Sequence, residues 1–158
     1  MKQLLYILFA VTLFTACSSD DDNPSDNNLN NLLVGVWKFK SRDFVIKTDN
    51  DDASKLIEEI LKDRKYTVST IEFTSSGDYL TLFESGNLVK EKYYFKGADL
   101  YLSTSINNNY SYSKYIYSLD ENYYREYIDQ TQSLRNEIYG AFPKANVDTV
   151  YVIYSFIR

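Results

Sequence analysis

Beyond residue 65 the chain is broken by turn-forming clusters at short, regular intervals. They are Ser75-Ser76-Gly77-Asp78, Glu84-Ser85-Gly86-Asn87, Lys96-Gly97-Ala98-Asp99, Asn107-Asn108-Asn109 and Asp120-Glu121-Asn122, spaced nine to thirteen residues apart. Runs rich in β-branched and aromatic residues fill the intervals, which is the pattern of strands joined by hairpins. A parallel neighbour would need a crossover of about a dozen residues, usually a helix, and the spacing leaves no room for one. The rhythm predicts eight antiparallel strands near 34–46, 66–74, 79–84, 88–95, 99–104, 110–118, 122–128 and 147–157. Eight up-and-down strands remove both exposed sheet edges by closing on themselves. The expected fold class is therefore all-β, an eight-stranded antiparallel up-and-down barrel.

Two segments depart from strand periodicity. Between the first two strands, Leu56, Ile57, Ile60 and Leu61 recur at helical spacing, with Asp51 or Asp52 placed to cap the start and Lys62 near the end. Before the last strand, Leu134 and Ile138 lie four apart, and Gly140 and Pro143 follow as stop signals. A short helix is expected at each place, the first packed on the barrel as a cover.

Composition narrows the chemistry. The 158 residues include no histidine and one cysteine, which excludes a Ser-His-Asp triad, a Cys-His dyad, an internal disulfide and a conventional His/Cys zinc site. Adjacent carboxylates such as Glu58-Glu59 and Asp120-Glu121 read as solvated surface, and Asp49-Asn50-Asp51-Asp52 lacks the glycine turn and distal glutamate of a calcium loop. No catalytic residue, metal site or cofactor is expected, and the chain reads as a binding protein rather than an enzyme.

The N-terminus carries the location. Met1-Lys2-Gln3, an apolar run from Leu4 to Phe14 and the small pair Thr15-Ala16 form a secretory signal peptide, too short to span a bilayer. The lone Cys17 follows at once. The arrangement resembles a bacterial lipobox, which implies cleavage before Cys17 and diacylglycerol attachment to its sulfur. Stable anchoring takes more than one acyl chain, which lipoprotein maturation would supply. Ser18-Ser19-Asp20-Asp21-Asp22 and the polar residues after it contain too little apolar surface to fold, so residues 17–31 are expected to be a disordered acidic tether. The acidic triplet reads equally as a solvated linker and as a likeness to the signal that sends some Gram-negative lipoproteins to the outer face of the outer membrane. The expected organisation is signal peptide 1–16, anchor and tether 17–31, and barrel domain 32–158. Cleavage removes one lysine and no acid, leaving 16 basic against 22 acidic residues and a net charge of −6. Such a body disfavours nucleic acid and anionic membrane as partners, leaving lipid as the membrane attachment.

Gly35-Val36-Trp37 opens the first strand. Together with the eight-strand meander it is similar to the lipocalin and wider calycin group, and Leu33 to Lys38, Thr70 to Tyr79 and Val150 to Arg158 look like the lipocalin-like domains of small Gram-negative lipoproteins. That resemblance implies that Trp37 plugs one end of the barrel and that Arg158, the last residue, packs across its ring.

Aromatic residues are the remaining pointer. Ten of the sixteen tyrosines lie between Tyr93 and Tyr127. Strand propensity and cross-strand pairing account for most of them. Inward rings with hydroxyl groups also have the composition of a small-molecule pocket, while outward rings make a platform for a glycan or a surface protein. Strand parity nominates Ile71, Phe73, Leu80, Leu82, Tyr93, Phe95, Leu100 and Leu102 as interior residues, with Val152, Tyr154 and Phe156. Tyr110 and Tyr112 share one side of their strand and Tyr115 and Tyr117 share one side, so some of these four are expected to line the interior. The leading expectation is a barrel that binds a small, partly apolar molecule inside; the alternative is an interaction module that meets a glycan or protein through its exterior.

Overall fold

The computed structural model describes residues 24–106 and 109–158. The signal peptide, Cys17 and the acidic triplet lie outside the described residues. Helix α1 (Pro24–Leu33) leads into β1 (Gly35–Thr48), α2 (Asp51–Asp63), β2 (Val68–Phe73), β3 (Asp78–Phe83), β4 (Leu88–Lys96), β5 (Asp99–Ile106), β6 (Asn109–Leu119), β7 (Tyr123–Asp129), α3 (Thr131–Ile138) and β8 (Val147–Ile157). The eight strands form a closed antiparallel barrel in sequence order, with β8 returning to pair with β1. Both expected helices are present. Asn50, rather than either aspartate, caps α2 by accepting from the Ala53 amide at 2.9 Å, and Asp51 and Asp52 occupy the first turn, where the helix dipole favours them.

The tether expectation needs correction over residues 24–31, which belong to α1. Proline at the first helical position suits that start. Tertiary contact, more than propensity, supports the rest. Leu33 is fully buried against Trp37, its carbonyl accepts from the Trp37 indole at 2.8 Å, and the Asn30 side chain accepts from the Tyr93 hydroxyl at 2.9 Å.

Two cores result. The first fills the barrel at the α1 end with Trp37, Phe73, Tyr79, Tyr93, Tyr124 and Phe156, joined by Leu33, Ile71, Leu100 and Leu102. The second lies where β1 and β8 run on together to Thr48 and Val147, their long ladder carried past a register shift between Phe39 and Ser41. There α2 contributes Ala53, Ile57 and Leu61, α3 contributes Leu134 and Ile138, and β8 contributes Val147, Val150 and Val152. Arg42 closes the C-terminal end of α2 by donating to the carbonyls of Arg64 and Lys62, complementing the negative end of the helix dipole.

The wall is continuous at the α1 end and parts at the other. The β4–β5 ladder runs only from Tyr93 opposite Leu102 to Lys96 opposite Asp99, and the β6–β7 ladder only from Ile116 opposite Tyr127 to Leu119 opposite Tyr124. Beyond these pairs the β5–β6 ladder continues by itself as far as Ile106 opposite Asn109, with the Ser103 hydroxyl still accepting from the Lys92 amide of β4 at 2.7 Å. The β5–β6 hairpin therefore stands away from β4 on one side and from β7 on the other.

Candidate functional site

Counting pairs from each turn fixes which side chains enter the barrel. Phe73 faces Tyr79 and Ile71 faces Thr81 across the β2–β3 hairpin. Continuing, Tyr79 faces Glu91, Tyr93 faces Leu102, Phe95 faces Leu100, Leu100 faces Tyr115 and Tyr117 faces Glu126. Of the expected interior residues, Ile71, Phe73, Tyr93, Leu100, Leu102, Val152 and Phe156 are buried, and Phe95, Tyr115, Tyr117 and Tyr154 are partly buried against the barrel core.

Leu80 and Leu82 point outward and are corrected: they lie on the parity of Glu72 and Thr70, and Leu82 is 37% exposed. The run Tyr79-Leu80-Thr81-Leu82-Phe83 is apolar on both parities, so alternation alone could not orient it. Tyr110 and Tyr112 also point outward, opposite Ser105 and Ser103 on the projecting hairpin, and are 51% and 41% exposed. With Tyr94 and Tyr101 they make an external aromatic cluster. The Tyr94 and Tyr101 rings lie parallel at 4.9 Å, and Tyr112 meets Tyr94 edge-on at 5.0 Å.

At the closed end the Arg158 guanidinium lies over the Trp37 ring, 4.5 Å from its centroid, and donates to the carbonyls of Val34, at 3.1 Å, and Leu32. Gly35, at φ of 141°, lies beneath this arginine, in backbone space that a side chain rarely adopts. The pair is a structural plug, since Trp37 has no exposed surface.

The residue that sequence reading missed is Glu126. It lies on the inward parity of β7 between Tyr124 and Ile128, only 6% exposed. Its Oε1 accepts from the hydroxyls of Tyr79 at 3.2 Å and Tyr124 at 3.1 Å. Burial raises its carboxyl to about 7, against the two hydroxyl donors, which favour the charged form. Burial and the same charge push the phenols of Tyr79 and Tyr124 well above their ordinary range. Tyr66 is shifted upward in the same way, and Tyr115 by burial and then by the charges of both Glu126 and Glu91. Tyr154 is raised by burial, with Arg42 opposing. Tyr66 stacks on Tyr154 at 4.0 Å.

This end of the interior is less tightly closed. Among the described residues none donates to Glu126 Oε2. The inward residues beyond it retain exposure: Glu91 and Tyr115 are half-buried, Val89 is 43% exposed, and Ser113 is exposed where the hairpin departs. Where β6 leaves β7 a cleft on the outer face is lined by Lys114, Ile116, Tyr127 and Asp129, with Tyr115 and Ile128 at its base. This end of the interior thus combines an aromatic floor, two inward carboxylates, Glu126 and Glu91, and hydroxyl-bearing walls. Among the described residues no group of three acidic, cysteine or histidine side chains is placed to hold a metal ion.

Protein-family models, curated proteins and solved structures give no match to this chain. The site therefore has to be read from its own geometry.

Proposed function

We propose that this is an exported, lipid-anchored binding protein of the outer membrane whose barrel interior takes a small, partly apolar molecule. The observation that carries the reading is the buried Glu126 carboxylate, bonded through one oxygen, with no donor to the other among the described residues, beside half-buried inward tyrosines. An apolar enclosure with a few convergent polar groups is the usual make-up of a ligand site. Packing alone offers little reason to bury a carboxylate there, because the charge is costly to desolvate. The anchor rests on the signal peptide and Cys17. Without His, and with the single cysteine assigned to lipid, the chain is better suited to binding than to catalysis.

Native mass spectrometry of protein purified from its own cells tests the binding reading. A retained small molecule, released on unfolding, is expected; apo protein only, together with no uptake of apolar probes, would overturn it. The anchor is tested separately: Cys17→Ala should move the protein from the membrane to the soluble fraction, and unchanged partitioning would remove the lipobox.

A second reading has its own observation. The parallel Tyr94 and Tyr101 rings, with exposed Tyr110 and Tyr112 beside them, form an external face suited to stacking on a glycan.

A further inference from the structure

The chamber's charge is unbalanced. The carboxylates on its inward face are Glu126 and Glu91, and both act on Tyr115 between them. Burial and the hydroxyls of Tyr124 and Tyr79 set the proton affinity of Glu126; no basic side chain among the described residues joins them. Arg42, inward on β1 opposite Tyr154, spends its donors on the carbonyls of Arg64 and Lys62. Arg64 is paired with Glu137 and Gln130. Lys92 and Lys90 lie on the outward parity of β4, both paired with Asp78. Two inward carboxylates against one inward cation, Arg42, which is held by the helix-end carbonyls and by Tyr154, leave an acidic interior with aromatic walls, complementary to a cation brought by the ligand.

Resting on the interior-binding reading above, we infer that the barrel selects a small organic cation, a protonated amine with an apolar tail. Its ammonium would sit on Glu126 Oε2 beside Tyr115, which feels the charges of both Glu126 and Glu91. Two general effects act together at such a seat. A charge-assisted hydrogen bond forms to an oxygen with no donor among the described residues, and aromatic faces attract the cation. The tail would lie against the inward side chains that keep exposure beyond Glu126, namely Val89 and Tyr115. A divalent ion fits less well, since no third acidic ligand converges there.

Titration calorimetry of the mature chain with n-hexylamine, n-hexanol and n-hexanoate, identical in tail and different in head, tests this inference. At pH 8 hexylamine should bind at least about tenfold more tightly than hexanol, or about 1.4 kcal/mol, with hexanoate weakest. Glu126→Gln should abolish that preference, so that hexylamine binds no more tightly than hexanol to the variant. Should this variant fail to fold, the wild type at pH 5.5 serves in its place. The alkylammonium keeps its proton there, as lysine does, while Glu126 becomes neutral, so hexylamine alone should weaken. Hexanol binding as well as hexylamine would overturn the cation inference and leave interior binding intact; no binding by any of the three would overturn both.

Discussion

The two cores of the molecule are built from different chemistry. The one beneath α2 and α3 is aliphatic: Ala53, Ile57, Leu61, Leu134, Ile138, Val147, Val150 and Val152 bury no polar side-chain atom. The one inside the barrel is aromatic, and its rings carry groups that must be satisfied. Trp37 donates to Leu33, Tyr93 to Asn30 and Thr74, and Tyr79 and Tyr124 to Glu126. The aliphatic core needs only volume to be filled, which many side-chain sets accomplish. The aromatic core depends on specific partners, and it is the one that is less tightly closed at its far side. Function is therefore sought where burial is chemically expensive.

Truncations on the two sides should separate these roles. Trp37→Ala should lower unfolding free energy by about 3–5 kcal/mol in a denaturant titration, because a fully buried ring and its hydrogen bond are both lost. Ile57→Ala should cost about 2–5 kcal/mol and leave hexanol affinity unchanged. A loss below about 1 kcal/mol at Trp37 would mean that the plug of the closed end is misjudged.

Acid should affect the barrel core in its own way. The folded state holds the Glu126 proton more tightly than the unfolded chain does, so stability falls as pH rises from the ordinary 4.5 to about 7 and is level above. Over that interval the contribution amounts to about 3 kcal/mol at 1.36 kcal/mol per pH unit. Asp78 acts in the opposite sense. Lys92 and Lys90 hold its carboxyl well below the usual carboxylate range, so its stabilisation is present at neutral pH and is lost as pH falls through that range. Glu126→Gln should flatten the slope between pH 4.5 and 7, measured by urea unfolding across pH, and retain the acid-side loss. Persistence of the full slope in the variant would contradict the assignment. The smallest effect is expected from Leu82→Ser, within about 0.5 kcal/mol of wild type, since the side chain lies on the outer face.

Turn spacing made the architecture legible. Each connecting cluster carries Gly or Asn, and every strand lies within a few residues of its expected position. Side-chain direction was less legible where alternation is weak. In β3 Leu80 and Leu82 lie on one parity and Tyr79 and Phe83 on the other, and only counting outward from the Thr74–Gly77 turn, which places Phe73 opposite Tyr79, orients the strand. The same counting from Asn107-Asn108 puts Tyr115 and Tyr117 inside and Tyr110 and Tyr112 outside. Glu126 left a faint signal, a charged residue on the parity of Tyr124 and Ile128, and glutamates in strands ordinarily face water. The helical part of residues 24–31 was hidden because the contact to it comes from Tyr93, 63 residues along the chain from Asn30.

Whether the barrel interior is the binding site is decided most directly by mapping a neutral probe. In an NMR titration with n-hexanol, the resonances of Tyr66, Tyr115, Glu126 and Tyr154 should shift together and saturate, while those of Tyr94, Tyr101 and Tyr112 stay in place. Shifts confined to the outer tyrosines, or no saturable shift on either face, would contradict an interior site.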